Sequence, residues 1–159
     1  MVKANVISVG RSVYSHETFL CVQLIVKNTS DSMKSFVMYT TSWQDSFVAD
    51  NDNVEICQAL KPWKNIPKDI ELKKNDSVSF KCILRLTEKY SHNYSFRIGL
   101  VYANWHQHNE IEQDGIDSAK KYFDALIIRR MNKLKHKIYW SNEITSNDEL
   151  RGYDQLDNI

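Results

Sequence analysis

The sequence predicts one mainly β domain built as a two-sheet antiparallel sandwich. Three observations carry this. Apolar and polar residues alternate with a period of two in at least five segments, which puts one set on a buried face and the other on the solvent side of a pleated strand. The segments are short and separated by clusters of turn formers, the spacing expected of sandwiches and barrels. The alternation itself favours antiparallel pairing, because strands of a buried parallel sheet read as continuous apolar runs.

Residues 2–9 form a weak first strand. Residues 19–27, FLCVQLIVK, put Leu20, Val22, Leu24 and Val26 on one face and Gln23 and Lys27 on the other. The following Asn28-Thr29-Ser30-Asp31-Ser32 is a turn whose side chains can bond nearby backbone groups. Residues 35–41 make the next strand. Residues 42–53 read as a polar loop anchored by Trp43 and Phe47, and a short strand at 54–58 follows. A loop with Pro62, Trp63 and Pro67 leads to a strand at 69–73, and Lys74-Asn75-Asp76 is a turn. Residues 77–86 give the cleanest alternation, with Val78, Phe80, Cys82, Leu84 and Leu86 on one face. Residues 94–102 repeat it with Tyr94, Phe96, Ile98, Leu100 and Tyr102. Leu24, Phe80, Leu84, Phe96 and Ile98 are therefore expected to point into the core.

The pattern changes after residue 103. Residues 104–117 are polar and acidic. Asp117 or Ser118 is placed to cap a helix over 118–131, whose Ala119, Tyr122, Phe123, Leu126 and Ile127 share one apolar stripe. Residues 133–140 return to period two, with Leu134, His136, Ile138 and Trp140 facing one way and Lys133, Lys135 and Lys137 the other. The domain is thus expected to span 1–141, followed by a polar acidic tail over 142–159 that is partly disordered.

The stretch 19–102 resembles immunoglobulin-like domains of bacterial proteins. The resemblance rests on the Leu-x-Val-x-Leu-x-Val strand ending in Asn-Thr-Ser-Asp, and on the later Ile-x-Leu-turn-Ser-Val-x-Phe-x-Cys-x-Leu hairpin. It implies an immunoglobulin-like sandwich with the 118–131 helix as an insertion. It carries no activity, because fold does not imply function. The antibody-type Cys-Trp-Cys arrangement is not evident.

Composition narrows the function classes. A chain of 159 residues with 42% hydrophobic and 26% charged residues is an ordinary single globular domain. The net charge of +1 supplies no general field for nucleic acid or an anionic membrane. No apolar run approaches the roughly 20 residues of a membrane helix. The start, MVKANVISVG, is too short and polar for a secretory signal; the expected location is cytoplasmic, or extracytoplasmic if a leader has been removed. Three cysteines allow at most one internal bridge. Buried or half-buried thiols are the expected state, a Cys21–Cys82 bridge is the alternative, and no CxxC points to zinc or redox chemistry.

Four clusters carry candidate chemistry. His106 and His108 project to the same side of an extended chain, and with Glu110 or Glu112 they could hold a divalent metal; the spacing matches no zinc motif, and a solvated loop is the alternative. Asp50-Asn51-Asp52-Asn53, with Asp45 and Glu55 nearby, offers oxygen ligands to calcium without the glycine and terminal glutamate of an EF-hand, or an ordinary acidic turn. Arg129, Arg130, Lys133, Lys135, His136 and Lys137 could bind phosphates or an acidic partner, or supply the solvent face of a strand. The acidic stretches on both sides oppose nucleic acid. Trp43, Trp63 and Trp105 could stack on carbohydrate. No nucleophile elbow, protease cysteine context or phosphate-binding glycine loop is present.

By elimination the sequence points to a non-enzymatic module that binds another protein, of the inhibitor, immunity or accessory kind. The expected contact residues are Trp43, Phe47, Trp105, Arg129 and Arg130, because large aromatics and arginine in polar loops are enriched at interface hot spots; for each of the three aromatics taken singly, a plug at the end of the sandwich is the alternative. The alternatives are a metal-binding protein or metal-dependent enzyme using His106, His108 and Glu110, and a carbohydrate-binding module.

Overall fold

A computed structural model describes residues 1–12, 17–58, 65–86, 95–109, 130 and 133–145. The described chain is mainly β, and every strand pairing in it is antiparallel. Strands β1 (Val2–Arg11), β2 (Thr18–Lys27), β5 (Val54–Ile56) and β7 (Ser77–Leu86) form one sheet in the order β1-β2-β7-β5. Strands β4 (Phe47–Ala49), β9 (Ile98–Tyr102) and β10 (Lys137–Trp140) form a second in the order β10-β9-β4. β3 (Lys34–Tyr39) pairs with β6 (Pro67–Leu72), and β8 (Ser95–Phe96) with β11 (Ile144–Thr145).

The smaller pairs extend the second sheet. The Val37 amide of β3 donates to the Ala103 carbonyl just beyond β9, at 3.0 Å. β8 precedes β9 and β11 follows β10, so Ile144 opposite Phe96 continues the ladder that places Trp140 opposite Gly99. Ser141 closes the gap: its amide donates to the Ile98 carbonyl at 2.9 Å, and its hydroxyl accepts from the Ile98 amide at 3.1 Å.

The clearest sequence signal has the clearest structural counterpart. In β2 the residues Thr18, Leu20, Val22, Leu24 and Val26 are buried while their neighbours are half-buried. β-branched and leucine side chains suit this one-sided pleat. β7 meets β2 with Leu84 opposite Leu20, Cys82 opposite Val22 and Phe80 opposite Leu24. Of the expected core residues, Leu24, Leu84, Phe96 and Ile98 are fully buried, and Phe80 is partly buried against the same cluster. That cluster also takes Phe36 and Met38 from β3, Phe47 and Ala49 from β4, and Ile144 from β11, so one core serves all the sheets.

Two expectations are corrected. The segment 133–140 is not one strand: 133–134 is helical, β10 starts at Lys137, and Leu134 is exposed. Ile138 and Trp140 pack on Val48, Val101 and Ala103 in a second, smaller cluster, while Tyr139 packs on the main one. The cause is visible in β9, where Ile98 to Val101 are all buried. A strand covered on both faces loses the link between alternation and the principal core. Residues 42–53 are not simply a polar loop, since they hold a 3-10 turn (Trp43–Ser46) and the buried strand β4. After β10, Ile144 is buried, and the Asn142 side-chain amide pairs with both backbone groups of Ala4, at 2.9 and 3.1 Å. The helix expected over 118–131 lies outside the described residues except for Arg130, which is helical.

Candidate functional site

The aromatic anchors of the 42–53 segment turn inward. The 3-10 turn folds Trp43 back so that its ring lies 4.9 Å from Phe80 and 5.9 Å from Phe47. Phe47 and Phe80 meet at 5.8 Å, and Phe47 is only 3% exposed. Offset and edge-on contacts of this kind stabilise a core. Phe47 therefore presents no contact surface, and Trp43 is a half-buried plug. Neither ring is the flat open platform that carbohydrate stacking needs, and Trp63 lies outside the described residues.

Trp105 behaves differently. Residues 105–109 are helical rather than extended. Asn104 starts the turn, because its side-chain carbonyl accepts the Gln107 amide at 3.0 Å and Gln107 Oε1 accepts the Asn104 amide at 3.2 Å. This reciprocal pair is a capping box, and Asn104-x-x-Gln107 was its sequence signature. The Trp105 indole is 42% exposed, and its Nε1 donates to Asp69 Oδ2 of β6 at 2.8 Å. The large ring is thus held in one orientation at the solvent boundary.

The helical turn also separates the two histidines. Residues two apart on a helix point roughly 200° apart, so His106 is exposed while His108 is buried. His108 packs edge-on to Tyr39 at 4.9 Å and to Trp105 at 6.4 Å. Glu110 and Glu112 lie outside the described residues, and among the described residues no three His, Cys, Asp or Glu side chains converge on a metal position.

The acidic turn after β4 is occupied by arginines. Asp50 accepts the Arg97 backbone amide at 2.6 Å and its Nε at 2.8 Å. Asp52 pairs with Arg130 at 2.6 Å, and Arg130 also donates to the Ala49 carbonyl at 3.4 Å. Asn51 Oδ1 accepts the Asn53 amide at 2.9 Å, which is an ordinary Asx turn. Arg129 lies outside the described residues. Of the remaining basic run, Lys137 lies over the Tyr139 ring, 4.9 Å from its centroid.

Two of the thiols, Cys57 and Cys82, are shifted away from nucleophilic chemistry. Burial pushes Cys82 up to about 12, and burial, then the Glu55 charge, raises Cys57 as well. A nucleophilic cysteine needs the opposite shift. All three cysteines are free. Cys82 faces the core, whereas Cys21 sits opposite Ile83 on the outer side of the same sheet, so the Cys21–Cys82 bridge is replaced by two thiols on opposite faces.

One pocket has a mixed lining that the sequence did not reveal. It has a volume of about 310 Å³ and lies along β4 and β5. Gln44 lines it, is 8% exposed, and its Oε1 has no hydrogen-bond partner among the described residues. Leaving a buried carbonyl unsatisfied costs about 1–3 kcal/mol. Comparison with family models, with characterised proteins and with solved structures finds no match.

Proposed function

We propose that this chain is an immunoglobulin-like β-sandwich acting as a non-enzymatic module that binds another protein, with Trp105 as an anchor of the contact surface. The strand order supports the fold reading. Immunoglobulin constant-type domains oppose an A-B-E-D sheet to a C-F-G sheet. The orders β1-β2-β7-β5 and β10-β9-β4 correspond to these in sequence order, with one core taking side chains from both.

The observation that carries the binding reading is the pinned exposure of Trp105. Tryptophan is the residue type most enriched at hot spots, and a ring already fixed by the hydrogen bond to Asp69 loses little freedom when a partner covers it. No helix among the described residues is long and apolar enough to cross a membrane.

The test begins with a photo-crosslinking residue at position 106, beside the anchor, and a control at Lys81 on the outer face of β7. A partner trapped from position 106 and not from 81 is then titrated against Trp105→Ala. A true anchor weakens binding by roughly 2 kcal/mol or more with the melting temperature nearly unchanged. A variant that melts lower and binds as before removes Trp105 from the interface.

A further inference from the structure

We propose that a second pocket, where the end of β2 meets β3, β9 and β10, binds a small free monocarboxylate that carries one aromatic ring. The site is separate from Trp105 and does not depend on the protein-binding reading above.

Size sets the first limit on the ligand. The pocket has a volume of about 110 Å³. That is well below the roughly 300 Å³ of the smallest drug-sized sites, and nearer the ~150 Å³ of an apolar cavity that admits benzene. It has room for one ring and not for a nucleotide or a long acyl chain. Val2, Val26, Phe36, Leu72 and Leu100 line it, and all five are buried residues of the main core. Tyr102 and Tyr139 complete the walls. Their rings meet edge-on at 5.5 Å, and the Phe36 ring stands 6.4 Å from Tyr102. Three aromatic walls favour an aromatic guest, because rings pack well in edge-on and offset contacts.

Charge sets the second limit. Successive residues of a strand point to opposite faces. On β3, Lys34 therefore shares the face of Phe36 and Met38, which enter the main core, and it lines the pocket from the exposed end of that strand. On β10, Lys137 shares the face of Tyr139, sits opposite Tyr102, and places its ammonium 4.9 Å from the centre of the Tyr139 ring. A lysine can lay its stem along apolar surface while its charged head stays in water. No carboxylate side chain lines the pocket, and among the described residues neither lysine forms an ion pair. The charge at this apolar slot is thus positive and uncompensated. A cationic ligand is opposed by it. A neutral ring fills the slot and leaves the lysines without a counter-charge. A sugar fits less well, because no tryptophan lines the pocket to stack on it. A carboxylate on a single ring meets the walls and the rim together.

The probe is phenylacetate, titrated into the isotope-labelled chain and followed by nuclear magnetic resonance. A group this small binds with a dissociation constant on the order of millimolar. Saturable shifts are expected at the Val26 and Leu72 methyls, and Trp105→Ala should leave them unchanged. Phenylacetamide, the neutral isostere, should bind at least threefold more weakly, and so should hexanoate, which keeps the charge and lacks the ring. Lys34→Gln changes an exposed residue and should leave melting unchanged. It should weaken phenylacetate at least threefold and leave phenylacetamide as it was. The proposal is overturned if phenylacetate gives no saturable shift, if phenylacetamide or hexanoate binds as tightly, or if Lys34→Gln binds phenylacetate like the parent. A short peptide ending in phenylalanine that binds more tightly than phenylacetate would also overturn it, in favour of the end of a partner chain.

Discussion

Replacing Asn28 by alanine should destabilise this fold by loosening two turns at once. The side chain is buried and uses both ends. Its Nδ2 donates to the Ser32 carbonyl at 2.8 Å and to the Leu72 carbonyl at 2.9 Å, and its Oδ1 accepts the Ser30 amide at 3.0 Å and the Ser30 hydroxyl at 2.8 Å. These bonds tie the β2–β3 turn to the end of β6. The backbone of Asn28 meanwhile holds the β6–β7 turn through Asp76 and Asn75. At about 1 kcal/mol net per bond, four bonds suggest about 4 kcal/mol; those near solvent are partly replaced by water, leaving about 2–3 kcal/mol. For a chain of this size that lowers the melting temperature by about 4–12 °C. Urea unfolding should show a lower midpoint with an unchanged slope. Asn28→Asp separates the two ends, because it keeps the acceptor and turns a carboxylate toward two carbonyl oxygens. It should be at least as unstable as the alanine variant at pH 7 and recover partly on acidification, when a donor returns. If Asn28→Asp is as stable as the parent, the donors to Ser32 and Leu72 contribute nothing and the reasoning fails.

Three further outcomes follow from packing and burial. Gly99→Ala should cost about 1–3 kcal/mol by overpacking, since a Cβ there would lie 2.7 Å from Trp140 Cε3 and closer still to Ile138 Cγ2; pairing it with Trp140→Leu should give less than the sum in denaturant melts. Phe96→Ala should cost about 3–5 kcal/mol, because the ring is 1% exposed, and Phe80→Ala should cost less, because that ring is only partly buried; equal losses would contradict the packing. Cys82 sets a pH dependence: its thiol sits at about 12 when folded against 9.0 ordinarily, so between these values only the unfolded chain has released the proton, and stability falls as pH rises. Compared with Cys82→Val, the parent should lose on the order of a few kcal/mol more between pH 9 and 12 by denaturant titration.

What the sequence revealed and what it hid divide along one physical line. β2 and β7 were legible because one face meets the core and the other meets solvent, so Leu20, Val22, Leu24 and Leu84 sit in strict alternation. β10 was misread because its sheet is covered on both sides, and Ile138 and Trp140 serve a second cluster. Trp43 and Phe47 could be read either as contact anchors or as plugs of the sandwich, because their neighbours in sequence are polar. Their burial is decided by Phe80, which lies far along the chain. The turn at 105–109 did leave a local trace in Asn104 and Gln107, but the histidine spacing drew attention to an extended reading. Gln44 left none, since its neighbours Trp43 and Asp45 give no hint that it is buried and the pocket it lines is assembled from separate segments.

The same line bears on the proposed contact surface. Several of the charged residues singled out from sequence are, among the described residues, engaged within the chain: Asp50 with Arg97, Asp52 with Arg130, Glu55 with Arg85. Solvent-exposed pairs of this kind contribute little to stability, typically about 0–1 kcal/mol. Their structural effect is positional, since Arg97 and Arg130 fasten the turn after β4 from two directions. A fastened turn fixes the wall of the pocket beside it, where Asp52 and Arg130 both stand. Trp105 is fixed in the same manner by Asp69. Charge along this surface thus works mainly to hold an aromatic ring and a polar cavity in place, and rigidity of that kind would reduce the ordering cost of the proposed binding.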